Sequence, residues 1–177
     1  AMIAPGQDRQ IPVDTAIVTK YSTTINGEKL TYTATTGTQP VYIDDVIVAS
    51  LYYTYYTRDI TGNREARPLV ISFNGGPGAA SVWMHMAYTG PKILKIDDEG
   101  YPVQPYGVRD NPYSILDVAD IVYVNPVNTG YSRMVRGKDG KMPDSKLFFG
   151  INADIEYLAA WISDFVSRNN RWLSPKY

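Results

Sequence analysis

The stretch Leu69-Val70-Ile71-Ser72-Phe73-Asn74-Gly75-Gly76-Pro77-Gly78 joins a short apolar run to a turn with three glycines in five positions, and residues 79–88 then mix small and large apolar side chains suited to a helix. A short, nearly continuous apolar run is the pattern of a parallel strand covered on both faces. Glycines carry no Cβ, so the N–H groups of such a turn are left open to close approach, near the positive end of the following helix. A turn of this kind can bind an anion or stabilise a developing oxyanion. Neither G-x-G-x-x-G nor G-x-x-x-x-G-K-[ST] is matched, which argues against a phosphate. The plainer alternative is a strand-to-helix turn that needs φ > 0, which would require fewer glycines.

Outward from this turn, the grammar is strands alternating with helices. Ile121-Val122-Tyr123-Val124 is a second buried-strand run, after Asp120 and before Asn125-Pro126. Asp117 and Asp120 flank the strand start and read as capping residues. Residues 152–168 predict the clearest helix: Ile151, Ile155, Leu158, Ala159, Ile162, Phe165 and Val166 form one stripe at period 3.6, with Asn152 as N-cap. Asp154 and Glu156 suit its start, Arg168 and Arg171 its end. Only Lys176 and Tyr177 follow Pro175, where another strand ought to begin. Met134 to Lys146 reads as a long loop.

The first third reads differently, as antiparallel β. Residues 16–25 and 28–35 flank Asn26-Gly27, the pair that favours φ > 0 at both centres of a two-residue hairpin turn. Val46 to Thr57 predicts a third, aromatic strand.

The chain has 177 residues, 17 basic and 18 acidic, a net charge of −1 and no cysteine. That balance offers no basic stripe for nucleic acid. Zero cysteine excludes disulfides, zinc-thiolate sites and a cysteine nucleophile, and the single histidine, His85, excludes a His-rich metal site. Asp97-Asp98-Glu99-Gly100 lacks the spacing of a calcium loop and reads as a solvated turn. No apolar run approaches the ~20 residues of a membrane span. The first residues lack the features of a signal peptide, although Ala1 before Met2 reads as a cloning scar that leaves room for a removed leader.

Several spaced blocks resemble the serine carboxypeptidases of the α/β-hydrolase fold. Leu51-Tyr-Tyr-Thr-Tyr-Tyr56 is similar to that family's aromatic second strand, Asn74 to Gly78 with Ser81 to its oxyanion loop, and Gly90-Pro91 to the pair after the helix. Asn111-Pro-Tyr-Ser114 and Asp120 to Ser132 resemble two further blocks. The resemblance implies an α/β fold in which antiparallel strands lead into a mostly parallel sheet with flanking helices. It implies one catalytic domain, of which 1–15 is an arm, 16–58 the antiparallel strands, and 68–177 the oxyanion loop with its strand and helix units. It implies peptide substrates, no cofactor, and acyl transfer to water that releases a C-terminal residue. Gly76 would supply an oxyanion-hole N–H, while Asn74, Gly75 and Tyr88 match positions at the substrate's terminal carboxylate. A periplasmic or secreted location also follows from the resemblance.

The sequence departs from the pattern in four places. No Gly-x-Ser-x-Gly elbow occurs, so the chain resembles an N-terminal part that stops before the nucleophile strand, without the triad. His85 sits on the helix after the loop, where the family has no catalytic base, and reads as a packed or solvated helix residue. Ser81 and Ser132 have no base beside them and read as structural. Ser72 and Tyr88 stand where many members have Trp and Glu, which removes half of a carboxyl pair, and Ala79 replaces a usual Cys, in line with a bacterial branch. A non-catalytic β-rich binding module and an acyltransferase on the same fold remain as alternatives. From the family topology, Leu69 to Phe73 is expected as an open edge that needs cover from a downstream segment of the same protein or a second copy.

Overall fold

Asn26 and Gly27 take φ of 49° and 80°, the two positive values that match a hairpin turn to the twist of its strands. In the computed structural model, which describes residues 13–75 and 78–177, they join β1 (Thr15–Ile25) to β2 (Glu28–Ile43), paired antiparallel from Ile25↔Glu28 to Thr15↔Thr38. Residues 1–12 of the expected arm lie outside the described residues. Asp44 and Asp45, at φ 50° and 60°, turn the chain into β3 (Val46–Arg58). Strand β2 runs past Thr35, where the sequence pattern ends, because Thr36 to Ile43 pairs with β3. Gly37 within it is required for close approach: a Cβ there would stand 1.9 Å from the Thr15 carbonyl oxygen.

Strand β4 (Leu69–Ser72) leads to the glycine turn; the small pair β5 (Lys92–Leu94) and β6 (Val108–Asp110) forms its own antiparallel sheet. Strand β7 (Asp120–Val124) lies between β3 and β4, giving the order β1-β2-β3-β7-β4, with β8 (Arg133–Met134) on β3. Between the named strands only β4 and β7 pair in parallel. The sheet is therefore mixed and mainly antiparallel, not mostly parallel, because the long β1-β2-β3 meander outweighs the α/β portion.

The edge of β4 is not fully open. Leu69 N–H donates to the Pro175 carbonyl at 2.8 Å, Ile71 N–H to that of Tyr177 at 2.8 Å, and Tyr177 N–H to that of Leu69 at 3.0 Å. The last three residues thus pair with β4 in parallel, so the edge expected to be open is covered as far as the Ile71 N–H. Strand β4 does sit between β7 and this segment, as the topology required.

Helix α1 (Ile151–Arg168) covers one face of the sheet. Its buried residues are Tyr157, Leu158, Trp161, Phe165 and Val166, packed with Val41, Leu51, Tyr53 and Val124. The expected stripe is rotated: Ile151 and Ile155 are 83% and 62% exposed, and Ala159 is exposed too. Two large aromatic rings at 157 and 161 bury more apolar area than the two isoleucines, so the helix turns them inward. Trp161 is also held by an exchange with Gln39, Nε1–H to its carbonyl at 3.3 Å and Gln39 Nε2–H to the Trp161 carbonyl at 3.1 Å. Asn152 is not the cap; Gly150, at φ 148°, precedes the helix without a side-chain cap. On the opposite face Leu30, Tyr32, Leu116, Ile121 and Tyr123 form a second cluster.

Asp120 is not a cap, and Arg171, expected as a charge suited to the helix end, is its buried partner. Both are fully buried, Asp120 Oδ2 accepting from Arg171 Nη1 at 2.5 Å and Oδ1 from Arg67 Nε at 3.1 Å. This ion pair joins the start of β7 to the segment after α1. The helix expected over 79–88 is wound as a π-helix from Met84 to Thr89, the Thr89 hydroxyl donating to the Met84 carbonyl five residues back at 3.2 Å. Asp97 caps its own turn, accepting from Glu99 N–H at 3.1 Å and Tyr101 N–H at 2.8 Å.

Candidate active site

The turn after β4 lies at the carboxyl end of a parallel strand, between β7 on one side and the Pro175–Tyr177 segment on the other. Crevices outside the carboxyl ends of such strands, where connections leave in opposite directions, are the usual ligand sites of open α/β sheets.

Ser81 fastens the turn. It is 1% exposed; its hydroxyl donates to the Val124 carbonyl at 2.5 Å and accepts from Asn74 N–H at 3.1 Å. Its N–H donates to Asn125 Oδ1 at 2.9 Å. Asn125 is held in turn by β3, its N–H donating to the Tyr52 carbonyl at 3.0 Å. Ser132 bridges the same two segments, donating to the Asn125 carbonyl at 2.7 Å and accepting from Tyr52 N–H at 2.8 Å. Both serines are structural, as their lack of a base suggested. The sequence blocks that contain them were legible, but not that the two hydroxyls tie the turn to the ends of β7 and β3.

Asn74 is half-buried, with its Nδ2 donating to the Gly75 carbonyl at 3.2 Å, and Gly75 is exposed. Gly78 takes φ 90°, a conformation that favours glycine. Gly76 and Pro77 lie outside the described residues, so the N–H assigned to the oxyanion hole by resemblance is not placed. Tyr88 lies at the far, C-terminal end of the π-helix and not in the cavity described next: it is 65% exposed, and its carbonyl accepts from Asn111 Nδ2 at 2.9 Å. Asn111, 2% exposed, also donates to the Gly90 carbonyl at 2.8 Å, and Ser114 donates to that of Thr89 at 2.8 Å. The Asn-x-x-Ser block therefore clasps the end of the π-helix.

Behind the turn lies a cavity of 190 Å³, lined by residues that include Tyr52, Ala80, Ser81, His85, Asn125 and Tyr131. Among the described residues its lining holds no carboxylate, lysine or arginine. His85 is packed rather than free. Its Nε2 lies 2.7 Å from the Tyr56 hydroxyl, its ring stacks on Tyr123, and burial pushes its pKa down to about 4, so the imidazole is neutral at pH 7. Among the described residues no group of three or more His, Asp or Glu side chains could hold a metal ion, and no helix is long and apolar enough to cross a membrane.

A profile of the serine carboxypeptidase family matches residues 40–173. "Serine carboxypeptidase-like 36" of Arabidopsis thaliana is 30% identical over 122 residues, covering 68% of this chain and 23% of its own length. "Pheromone-processing carboxypeptidase KEX1" of Saccharomyces cerevisiae is 27% identical over 116 residues, covering 65% of this chain and 14% of its own length. The crystal structure of the same yeast prohormone-processing carboxypeptidase superposes with a TM-score of 0.50 at 21% identity, over 77% of this chain and 28% of that one. That likeness shows a shared fold over the matched part. The chain spans between 14% and 28% of the length of these relatives. These relatives are plant and yeast proteins and do not support a bacterial affiliation.

Proposed function

The chain belongs to the serine carboxypeptidase family, and on that premise we propose that it is the N-terminal part of one α/β-hydrolase catalytic domain that removes C-terminal residues from peptides through a serine acyl-enzyme. The observation that carries this reading is the glycine turn at the carboxyl end of β4, held by Ser81 and Asn125 against β7 and adjoining the start of a further parallel strand at Pro175–Tyr177.

In this reading the Asn74 side chain and the Gly75 N–H hold the terminal carboxylate of the peptide. The Gly76 N–H supplies one oxyanion-hole donor, which lowers the barrier to the tetrahedral intermediate by about 2.7–4 kcal/mol. Ser, Asp and His of the triad come from outside these residues, and no cofactor takes part. Ser72 and Tyr88 replace a Trp and a carboxyl, so the carboxylate site has no acid of its own to keep protonated. Activity is then less confined to low pH than where a carboxyl pair does this work. The whole protein acts outside the cytoplasm, and the edge of β4 beyond the Ile71 N–H is covered by downstream chain or by a second copy.

Two measurements test the reading. The gene beyond codon 177 is expected to encode Gly-x-Ser-x-Gly within about ten codons, the spacing that places a nucleophile at the end of the strand begun at Pro175; its absence there would overturn the assignment. The 177-residue chain by itself is expected to leave a blocked dipeptide intact, and turnover abolished by a serine-directed phosphonate would contradict that.

A further inference from the structure

His85 is the single histidine of the chain, and the proposed chemistry does not use it. Its surroundings are nonetheless specific. From β3 the Tyr56 hydroxyl meets Nε2 at 2.7 Å. From β7 the ring of Tyr123 stacks on the imidazole, 4.5 Å between centroids and 18° between planes. The Tyr123 hydroxyl turns to the Thr89 hydroxyl at 2.7 Å, a second tie to the same π-helix. Gly90 closes the other side: a Cβ there would stand 2.2 Å from the His85 carbonyl oxygen and 3.2 Å from its Cδ2.

One turn back, the His85 N–H donates to the Ser81 carbonyl at 3.0 Å, and the Ser81 hydroxyl accepts from Asn74 N–H at 3.1 Å. The imidazole is thus one side chain through which the helix after the glycine turn meets both β3 and β7. The groups that face it are the phenols of Tyr56 and Tyr123 and, beyond them, the hydroxyl of Thr89; burial alone shifts its pKa, with no charged group contributing. It also lines the 190 Å³ cavity behind the turn.

We propose that His85 is a positioning residue for the Asn74–Gly75 end of the glycine turn: clamped as a neutral ring between Tyr56 and Tyr123, it sets where Ser81 and therefore Asn74 sit, and its protonation releases them. Burial without a counter-charge disfavours the imidazolium, so acid expels the ring and frees the helix start. The turn is then set at neutral pH and loosened in acid. This inference rests on the reading of Asn74 and Gly75 as the substrate side of the site, but its test observes the turn itself, so loss of the peptidase reading would leave the test intact.

The test is an NMR titration of the isotope-labelled chain from pH 7.5 to 3.5. The single histidine makes the imidazole signal unambiguous. The expected result is a midpoint near 4, with the Asn74 and Gly75 amide resonances moving at the same midpoint. His85→Phe keeps a ring on Tyr123 but has no nitrogen, and there the amide transition is expected to vanish. Tyr56→Phe deletes only the hydroxyl and is expected to shift the same two amides at pH 7.5 while the unfolding midpoint stays within a few degrees. A midpoint near 6.5, amides that stay in place through the His85 transition, or the same amide transition in His85→Phe would each overturn the proposal. The wild-type titration decides the first two outcomes by itself, even if a variant fails to fold.

Discussion

Replacing Asp120 by Asn preserves the outline of the side chain and deletes the one negative charge at the centre of a buried network. Oδ1 accepts from the Arg58 N–H at 3.0 Å and Arg67 Nε at 3.1 Å, and Oδ2 accepts from Arg171 Nη1 at 2.5 Å. Arg171 is 0% exposed and directs its remaining donors to the Ser174 hydroxyl, the Tyr55 hydroxyl and the Arg67 carbonyl, at 2.7, 2.7 and 2.8 Å. In Asp120→Asn this guanidinium stays buried without a counter-charge, and an amide NH₂ faces donors. Breaking a buried pair from one side costs about 3–5 kcal/mol, a large part of the roughly 5–15 kcal/mol that stabilises a domain. Urea unfolding followed by tryptophan fluorescence reads it, since Trp161 is 1% exposed in the core. With a slope of about 1–3 kcal/mol per molar, the midpoint is expected to fall by at least 1 M, roughly. A loss below about 1 kcal/mol, the value of an exposed pair, would refute the reasoning. Arg171→Met is expected to weaken the same transition and to speed hydrogen exchange at Leu69, Ile71 and Tyr177, because Arg171 leads directly into the segment that pairs with β4.

Three further outcomes are expected. Burial lowers His85 from 6.5 to about 4, so between those values the unfolded chain binds one proton more than the folded chain; stability is complete above pH 6.5 and declines as pH falls to about 4, by about 3 kcal/mol in all. Urea midpoints across that window should be flatter in His85→Phe, and an unchanged slope would count against the assignment. Gly37→Ala places a Cβ against the Thr15 carbonyl, 1.9 Å away before any shift, and is expected to cost about 1–3 kcal/mol by displacing β1; protected amides throughout β1 in the variant would argue otherwise. Ile155→Lys on the outer face of α1, where Ile155 is 62% exposed, should change stability by under about 0.5 kcal/mol. A loss of 2 kcal/mol or a change of mass in light scattering would show that a second copy covers this face.

Local pattern decided a good deal of this structure. Asn26-Gly27 names its hairpin because few other residue pairs tolerate two positive φ values, and the aromatic run from Val46 names β3. The apolar runs at Leu69 and Ile121 name two strands, of which only the second is buried throughout, and the glycine turn between β4 and its helix announces the candidate site before any contact is known. The extent of α1 follows from its period, but its buried face does not. A 3.6-residue repeat fits more than one rotation, and the contest between Ile151 with Ile155 and Tyr157 with Trp161 is settled by what β2 and β3 present, Gln39 included.

The same limit applies to the charged and polar anchors. Asp120 and Arg171 stand 51 residues apart and read as a cap and as a helix-end charge on separate elements. Only the stacking of β7 beside β4 and the return of the chain after α1 bring them together, where burial forces two charges to pair. Ser81, Asn125 and Ser132 belong to recognisable blocks, yet their role in holding the turn depends on β3 and β7 lying side by side. Periodicity and turn chemistry are properties of neighbours along the chain, and they fixed the elements. Which polar groups satisfy one another is a property of neighbours across the sheet, and desolvation assigns those partners only once the sheet has formed.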